Sequence, residues 1–169
     1  MRNKEWLELI KENEEKIIET GEKAYADAMN NTNLRFIVEL EKDGNIYSWC
    51  DVAGGTSCSE DSFNGNSIVL MIFCFRGYEP EITEEDVINK LIECGFENRL
   101  KELKHEAEEY RITLDALIIN EYGNDELYSV IQKCTQDAID FEVDECARNE
   151  VECELERIKQ DLKDIKYID

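Results

Sequence analysis

Nine carboxylates fall within twenty residues towards the C-terminal end of this chain: Asp137, Asp140, Glu142, Asp144, Glu145, Glu150, Glu152, Glu154 and Glu156. Arg148 is the only base among them, so the stretch carries a net −8. The whole chain has 41 acidic and 19 basic residues and a net charge of −22. Over a third of the imbalance therefore sits in about an eighth of the length. Carboxylates three or four residues apart on a helix stand about 5–6 Å apart at Cβ. Phosphates along a nucleic-acid strand are separated by a similar few ångströms. Like charges at this spacing weaken an isolated helix, so their repetition points to a use for the charge. The chemistry predicted is docking onto lysines and arginines that otherwise hold phosphate. The expected contact residues are Asp137, Asp140, Asp144, Glu145, Glu150, Glu152 and Glu156. The plain alternative is a solvated helix face.

Other chemistry finds little support. Seven cysteines lack the closely spaced pairs of a zinc site, so no metal or other cofactor is expected. In a reducing cytosol they read as small core residues, Cys74 and Cys94 above all. His105 is the only histidine, on a helix near Glu102, Glu108 and Glu109 where it reads as a surface residue, so Cys–His catalysis is not expected. Asp51 to Ser57 places two glycines after a strand but lacks the lysine and spacing of a phosphate-binding loop. An enzyme reading would need a pocket lined by Cys50, Asp51 and Cys58 at the Gly54–Asn66 loop. The chain is therefore read as non-enzymatic.

The acidic block needs a helix to present it. Leu127, Val130, Ile131, Cys134, Ala138 and Phe141 form an apolar stripe before it. Val151, Leu155, Ile158, Leu162 and Ile165 form another within and after it. One helix over Asp125–Tyr167 would carry both. Between the stripes, however, the same register offers Asp144 and Arg148, so the helix either breaks near 144–149 or leaves the core there. The second stripe needs a partner, either this chain's own helices or a second copy in a homodimer.

Upstream, helical spacing predicts one helix over Arg2–Asn30, with Gly21 on its apolar stripe allowing close packing. Leu34–Glu41 and Ile46–Ala53 alternate as strands around Asp43-Gly44, a hairpin signal. Ser67–Phe75 is the one long uncharged apolar run and reads as a strand buried on both faces. The simplest connectivity makes a three-stranded antiparallel meander. Thr83 and Asp86 form a short capping box for a helix ending at Gly95. Asn98–Tyr122 reads as a longer helix. The order is α-β-β-β-α-α-α, an α+β body over 1–123 with an acidic helix over 124–169 packed on it as a single domain. Its first five elements match a double-stranded-RNA-binding domain, but the segments that would meet phosphate are acidic, which excludes that reading.

Composition narrows the function. Hydrophobic residues make up 42% of the chain, enough for a folded core. No apolar run reaches membrane-spanning length, and Met1-Arg2-Asn3-Lys4-Glu5-Trp6 lacks the apolar core of a signal peptide, which predicts a cytosolic protein. A domain this acidic repels nucleic acid and anionic membranes and attracts basic proteins. In size, acidity, absence of catalytic motifs and the Asp137–Glu156 block, the chain is similar to phage-encoded anti-CRISPR proteins that mimic nucleic acid. It also resembles bacterial immunity proteins that neutralise nuclease toxins. The resemblance implies a basic nucleic-acid-handling partner, such as a Cas effector or a nuclease, and no cofactor. A self-associating structural or regulatory protein is the remaining alternative.

Overall fold

The computed structural model describes residues 1–53 and 66–164. The loop expected over Gly54–Asn66 lies outside the described residues apart from Asn66, and so do Cys58 and Ile165. The elements are α1 (Asn3–Glu12), α2 (Glu14–Asn30), β1 (Leu34–Glu41), β2 (Ile46–Val52), β3 (Ser67–Cys74), α3 (Glu84–Glu93), α4 (Glu97–Tyr110), α5 (Leu114–Glu121) and α6 (Glu126–Asp164). The class is α+β, as the alternating strands and amphipathic helices predict. Packing groups the chain into two compact units: a sheet unit, Met1–Tyr78 with Glu142–Asp169, and a helical unit, Glu79–Phe141.

In the sheet unit the three strands are antiparallel in the order β2-β1-β3. This corrects the meander: β3 pairs with β1, and β1 is the central strand. The hairpin forms where Asp43-Gly44 predicts it. Gly44 takes φ 88°, a left-handed conformation costly for a residue with a Cβ, and its N–H donates to Glu41 O at 2.9 Å. β3 is an edge strand, and it is not buried on both faces. Leu70, Met71 and Phe73 are buried, whereas Ile72 on the opposite face is 43% exposed. Its apolar run reflects packing on one side plus a register shift opposite Val38/Glu39, which breaks simple alternation.

α2 packs across all three strands. The single helix expected over Arg2–Asn30 is interrupted at Asn13, whose φ of −114° and ψ of 16° are not helical. Its side-chain amide donates to Leu9 O at 2.8 Å, a local bond that competes with helix continuation. Tyr25 packs edge-on against Phe73 and Phe75, with ring centroids 5.3 and 4.9 Å away. Gly21 allows the close approach its position suggests: a Cβ there would lie 2.7 Å from Val151 Cγ1 and 2.9 Å from Met71 Sδ.

The helical unit closes on Val87, Leu91, Leu103, Leu114, Leu117, Ile118, Leu127 and Val130, all essentially buried. Its entry is the predicted capping box. Asp86 N–H donates to Thr83 Oγ1 at 3.2 Å, and Thr83 N–H donates to Asp86 Oδ2 at 3.0 Å. The expected helix over Asn98–Tyr122 is two helices. α4 ends at Arg111, the only non-glycine residue with positive φ among the described residues, at 55°. The left-handed residue closes the helix: Ile112 N–H donates back to Ala107 O at 3.0 Å, the 6→1 bond of a Schellman terminus.

α6 is continuous over 39 residues and does not break at 144–149. The register that predicts a gap is one residue off. In the sheet unit the buried positions run Ala147, Val151 and Leu155, with Val143 half-buried, every fourth residue. Asp144 and Arg148 stand beside this stripe and reach solvent. In the helical unit the stripe is Leu127, Val130, Ile131, Cys134 and Ile139, while Phe141, expected inside, is 66% exposed.

Candidate functional site

The second stretch of α6, from Glu142 onward, is seated in the sheet unit by Val151 and Leu155, exposed 0% and 1%. These two residues, predicted for self-association, are therefore already buried within one chain. Ile158 and Leu162 are half-buried, and Leu162 O accepts from Asn3 Nδ2 at 2.9 Å. With the apolar side inward, the carboxylates are left on the outside.

Their surroundings divide them. Arg148 meets Glu15, Glu22 and Glu152 at 3.3, 3.5 and 3.1 Å. Lys159 meets Glu14 and Glu156, both at 2.8 Å. Burial opposes the Lys159 charge, but the two carboxylates outweigh it and raise its pKa. The bond from Lys159 holds the Glu156 carboxyl below its ordinary range. Glu152 and Glu156 are thus neutralised by cations of their own chain. Asp144, Glu145 and Glu150 are exposed and form no ion pair among the described residues.

Burial and the carboxylates of α6 act together on three neighbouring groups. Burial raises the Tyr25 hydroxyl to about 12, helped by Cys146, Glu142 and Glu150. Cys146 donates to Glu142 at 3.4 Å, and that bond, with burial and the charges of Glu142, Glu145 and Glu150, raises its thiol pKa. Burial and then Glu142 push up the Tyr78 hydroxyl. In both tyrosines burial is the larger cause and the nearby carboxylates add to it; in Cys146 the bond to Glu142 leads.

In the helical unit, Asp137 pairs with Lys90 at 2.5 Å, and Lys90 also reaches Glu93 at 2.9 Å. The bond to Asp137 is the main reason the Lys90 pKa rises. Asp140 is exposed and accepts from Gln136 Nε2 at 2.9 Å. Of the seven predicted contact residues, then, Asp137, Glu152 and Glu156 have cationic partners, Asp140 has an amide donor, and three have neither among the described residues.

Sequence reasoning missed a polar cluster on the sheet. Glu39 is 7% exposed and accepts from Trp49 Nε1 at 2.5 Å, Ser67 Oγ at 2.9 Å and Tyr47 Oη at 3.2 Å. Beside it Arg35 and Asp51 form a bidentate pair, both bonds 2.6 Å. The cross-strand register aligns Glu39 with Tyr47 and Arg35 with Asp51. The only signal was period-two placement of these polar residues on one face of β1. The cysteines also differ from expectation. Cys134 alone is buried among the described residues, Cys94 is half-buried, and Cys50, Cys74 and Cys153 are exposed.

No group of three or more His, Cys, Asp or Glu residues among the described residues is placed to hold a metal ion. No helix among them is long and apolar enough to cross a membrane. In the comparisons with known proteins, no family model, curated protein or solved structure matched the chain.

Proposed function

We propose that this chain is an acidic binding protein that docks α6 onto a basic, nucleic-acid-handling protein in the cytosol and competes with nucleic acid for it. The observation that supports the reading is the division of the carboxylates. Asp144, Glu145 and Glu150 lie within seven residues of one helix, exposed and without an intrachain cation among the described residues. A purely solubilising surface has no reason to leave them concentrated while Arg148 and Lys159 neutralise their neighbours. Lysines and arginines of a partner would fill the vacant role and release the phosphate they hold. The target class implied by the resemblance, a Cas effector or a toxin nuclease, fits this chemistry.

The test is capture of host proteins on the immobilised chain, beside a folded Asp144→Lys, Glu145→Lys, Glu150→Lys variant. The expected partner binds nucleic acid, is displaced by it, and dissociates as salt rises from about 0.05 M to about 0.5 M. Binding to the triple variant should fall by about tenfold or more. A partner held equally by the variant, or insensitive to competing nucleic acid, overturns the proposal.

A further inference from the structure

β2 has one neighbour, β1, among the described residues. The parity of its ladder is fixed at both ends. Glu41 N–H donates to Asn45 O at 2.8 Å, and Ala53 N–H donates to Asn33 O at 2.9 Å. In an antiparallel pair the bonded residues alternate, so Tyr47, Trp49 and Asp51 direct their backbone groups at β1. Ile46, Ser48, Cys50 and Val52 direct theirs away from it. Natural edge strands are commonly blunted by proline, lysine or a bulge. β2, Ile46-Tyr47-Ser48-Trp49-Cys50-Asp51-Val52, has neither residue, and the sheet's register shift lies between β1 and β3.

A groove of about 490 Å³ runs beside this edge. Its floor includes Phe36, Ile46, Ser48 and Cys50, and its wall is α2, through Glu19, Lys23 and Asp27. Ser48, Cys50 and Val52 are exposed, with Val52 at 70%, so α2 leaves the outer row of the sheet open. Glu19 and Asp27 form no ion pair among the described residues. They are eight residues apart, about 12 Å along the helix. Residues i and i+4 of a strand lie on one face at about 13 Å. The residue between them, i+2, would meet Lys23.

We propose that β2 is a strand-addition site that takes an extended basic segment of a partner protein as a fourth strand. Main-chain bonds to Ile46, Ser48, Cys50 and Val52 supply the attachment, and the groove selects side chains on one face. The segment that fits carries Lys or Arg at i and i+4 facing Glu19 and Asp27, with a small neutral residue at i+2 facing Lys23. A second copy of this chain fits poorly, because each copy brings a net −22. This inference is independent of the docking proposed for α6.

The probe is an acetylated, amidated peptide, Val-Lys-Val-Ser-Val-Lys-Val, titrated into the full chain with residue-resolved amide exchange. In the free chain the outward amides of Ile46, Ser48, Cys50 and Val52 should exchange fast, and the peptide should protect them. The same peptide N-methylated at alternate residues should bind about tenfold or more weakly, since it keeps the charge and loses the ladder. Ser48→Pro removes one outward N–H without touching the β1 ladder and should weaken binding similarly. Glu19→Lys with Asp27→Lys should do the same through the groove, whatever the fate of the proline variant. Outward amides already protected in the free chain, equal binding of the N-methylated peptide, or a dimer protected at β2 would each overturn the proposal.

Discussion

Replacing Gly21 with alanine tests how α6 is seated. In the middle of a helix such as α2, alanine is favoured over glycine by about 1 kcal/mol. Here the new Cβ would stand 2.7 and 3.1 Å from the two Val151 methyls and 2.9 Å from Met71 Sδ. Comfortable carbon contacts are about 3.5–4.0 Å. The intrusion comes from two sides and meets fully buried residues, so neither neighbour has free space to yield. Overpacking of this kind costs about 1–3 kcal/mol, and contacts this short place it at the upper end, leaving a net loss of about 2 kcal/mol. In a chain of this length that lowers the melting temperature by about 4–8 °C. Tryptophan fluorescence reports it cleanly, because the only two tryptophans, Trp6 and Trp49, belong to the sheet unit. Val151→Ala alone should also cost about 2 kcal/mol by opening a cavity. The double variant should lose less than the sum by at least about 1 kcal/mol, since the methyl added on α2 occupies the space vacated on α6. A Gly21→Ala chain as stable as the parent, or additive losses in the double variant, would refute the contact between α2 and α6.

Three further outcomes follow from particular side chains. Thr83→Ala removes the N-cap of α3 and should destabilise the helical unit by about 1 kcal/mol, read by far-ultraviolet circular dichroism during unfolding. The backbone bond from Thr83 lowers the Asp86 pKa, so the Asp86 half of this cap is fully present above the unfolded carboxyl value and is lost as pH falls through the folded one. An acid titration should therefore show wild type and Asp86→Ala converging at low pH, whereas Thr83→Ala, which keeps its backbone N–H, should stay offset from wild type. Glu39→Gln should lower the Tyr47 pKa, now raised by burial and then by the Glu39 charge, which ultraviolet titration of tyrosinate detects. Turning an amide towards the indole, phenol and hydroxyl donors should also cost about 1–3 kcal/mol. Arg111→Gly should stabilise the helical unit by about 0.5–1 kcal/mol, because glycine carries no Cβ penalty in the left-handed conformation that ends α4; thermal unfolding checks the sign.

How much was legible depended on whether a local or a long-range contact decides the feature. The Thr83–Asp86 cap and the Asp43-Gly44 hairpin are settled by residues adjacent in sequence, and both were readable. The partner of β3 is not settled locally: an apolar run names a strand but not its neighbour, and the edge position followed only from the β1 pairing. Helix breaks at Asn13 and Arg111 leave the apolar periodicity intact, so periodicity merged the pieces. On α6 the buried stripe of the sheet unit passes through Val143 and Ala147. Small or β-branched residues there give a weaker signal than the charges of Asp144 and Arg148 next to them, and a one-residue error in register became a false gap. The seven acidic residues predicted to make contact were legible as a charged block. Which of them lack cations was not, because Glu14, Glu15 and Glu22 come from α2, more than a hundred positions away.

That division bears on the docking proposed for α6. A carboxylate array can substitute for phosphates only if its spacing is held before the partner arrives, since ordering it on contact would cost affinity. Asp144, Glu145 and Glu150 are held by a helix pinned on each side of them. Ala147 and Val151 fix its inner face, and the Arg148 network ties it to α2 through Glu15 and Glu22. Arg148 thus anchors the helix without pairing with any of those three carboxylates, which have no cationic partner among the described residues. Replacing Arg148 with glutamine makes the surface more acidic by one charge yet removes the tie. If charge alone drives docking, the variant should bind a basic partner more tightly; if positioning matters, it should bind more weakly despite the added negative charge. A preorganised array requires the second result, measured as affinity at low and high salt on the folded variant.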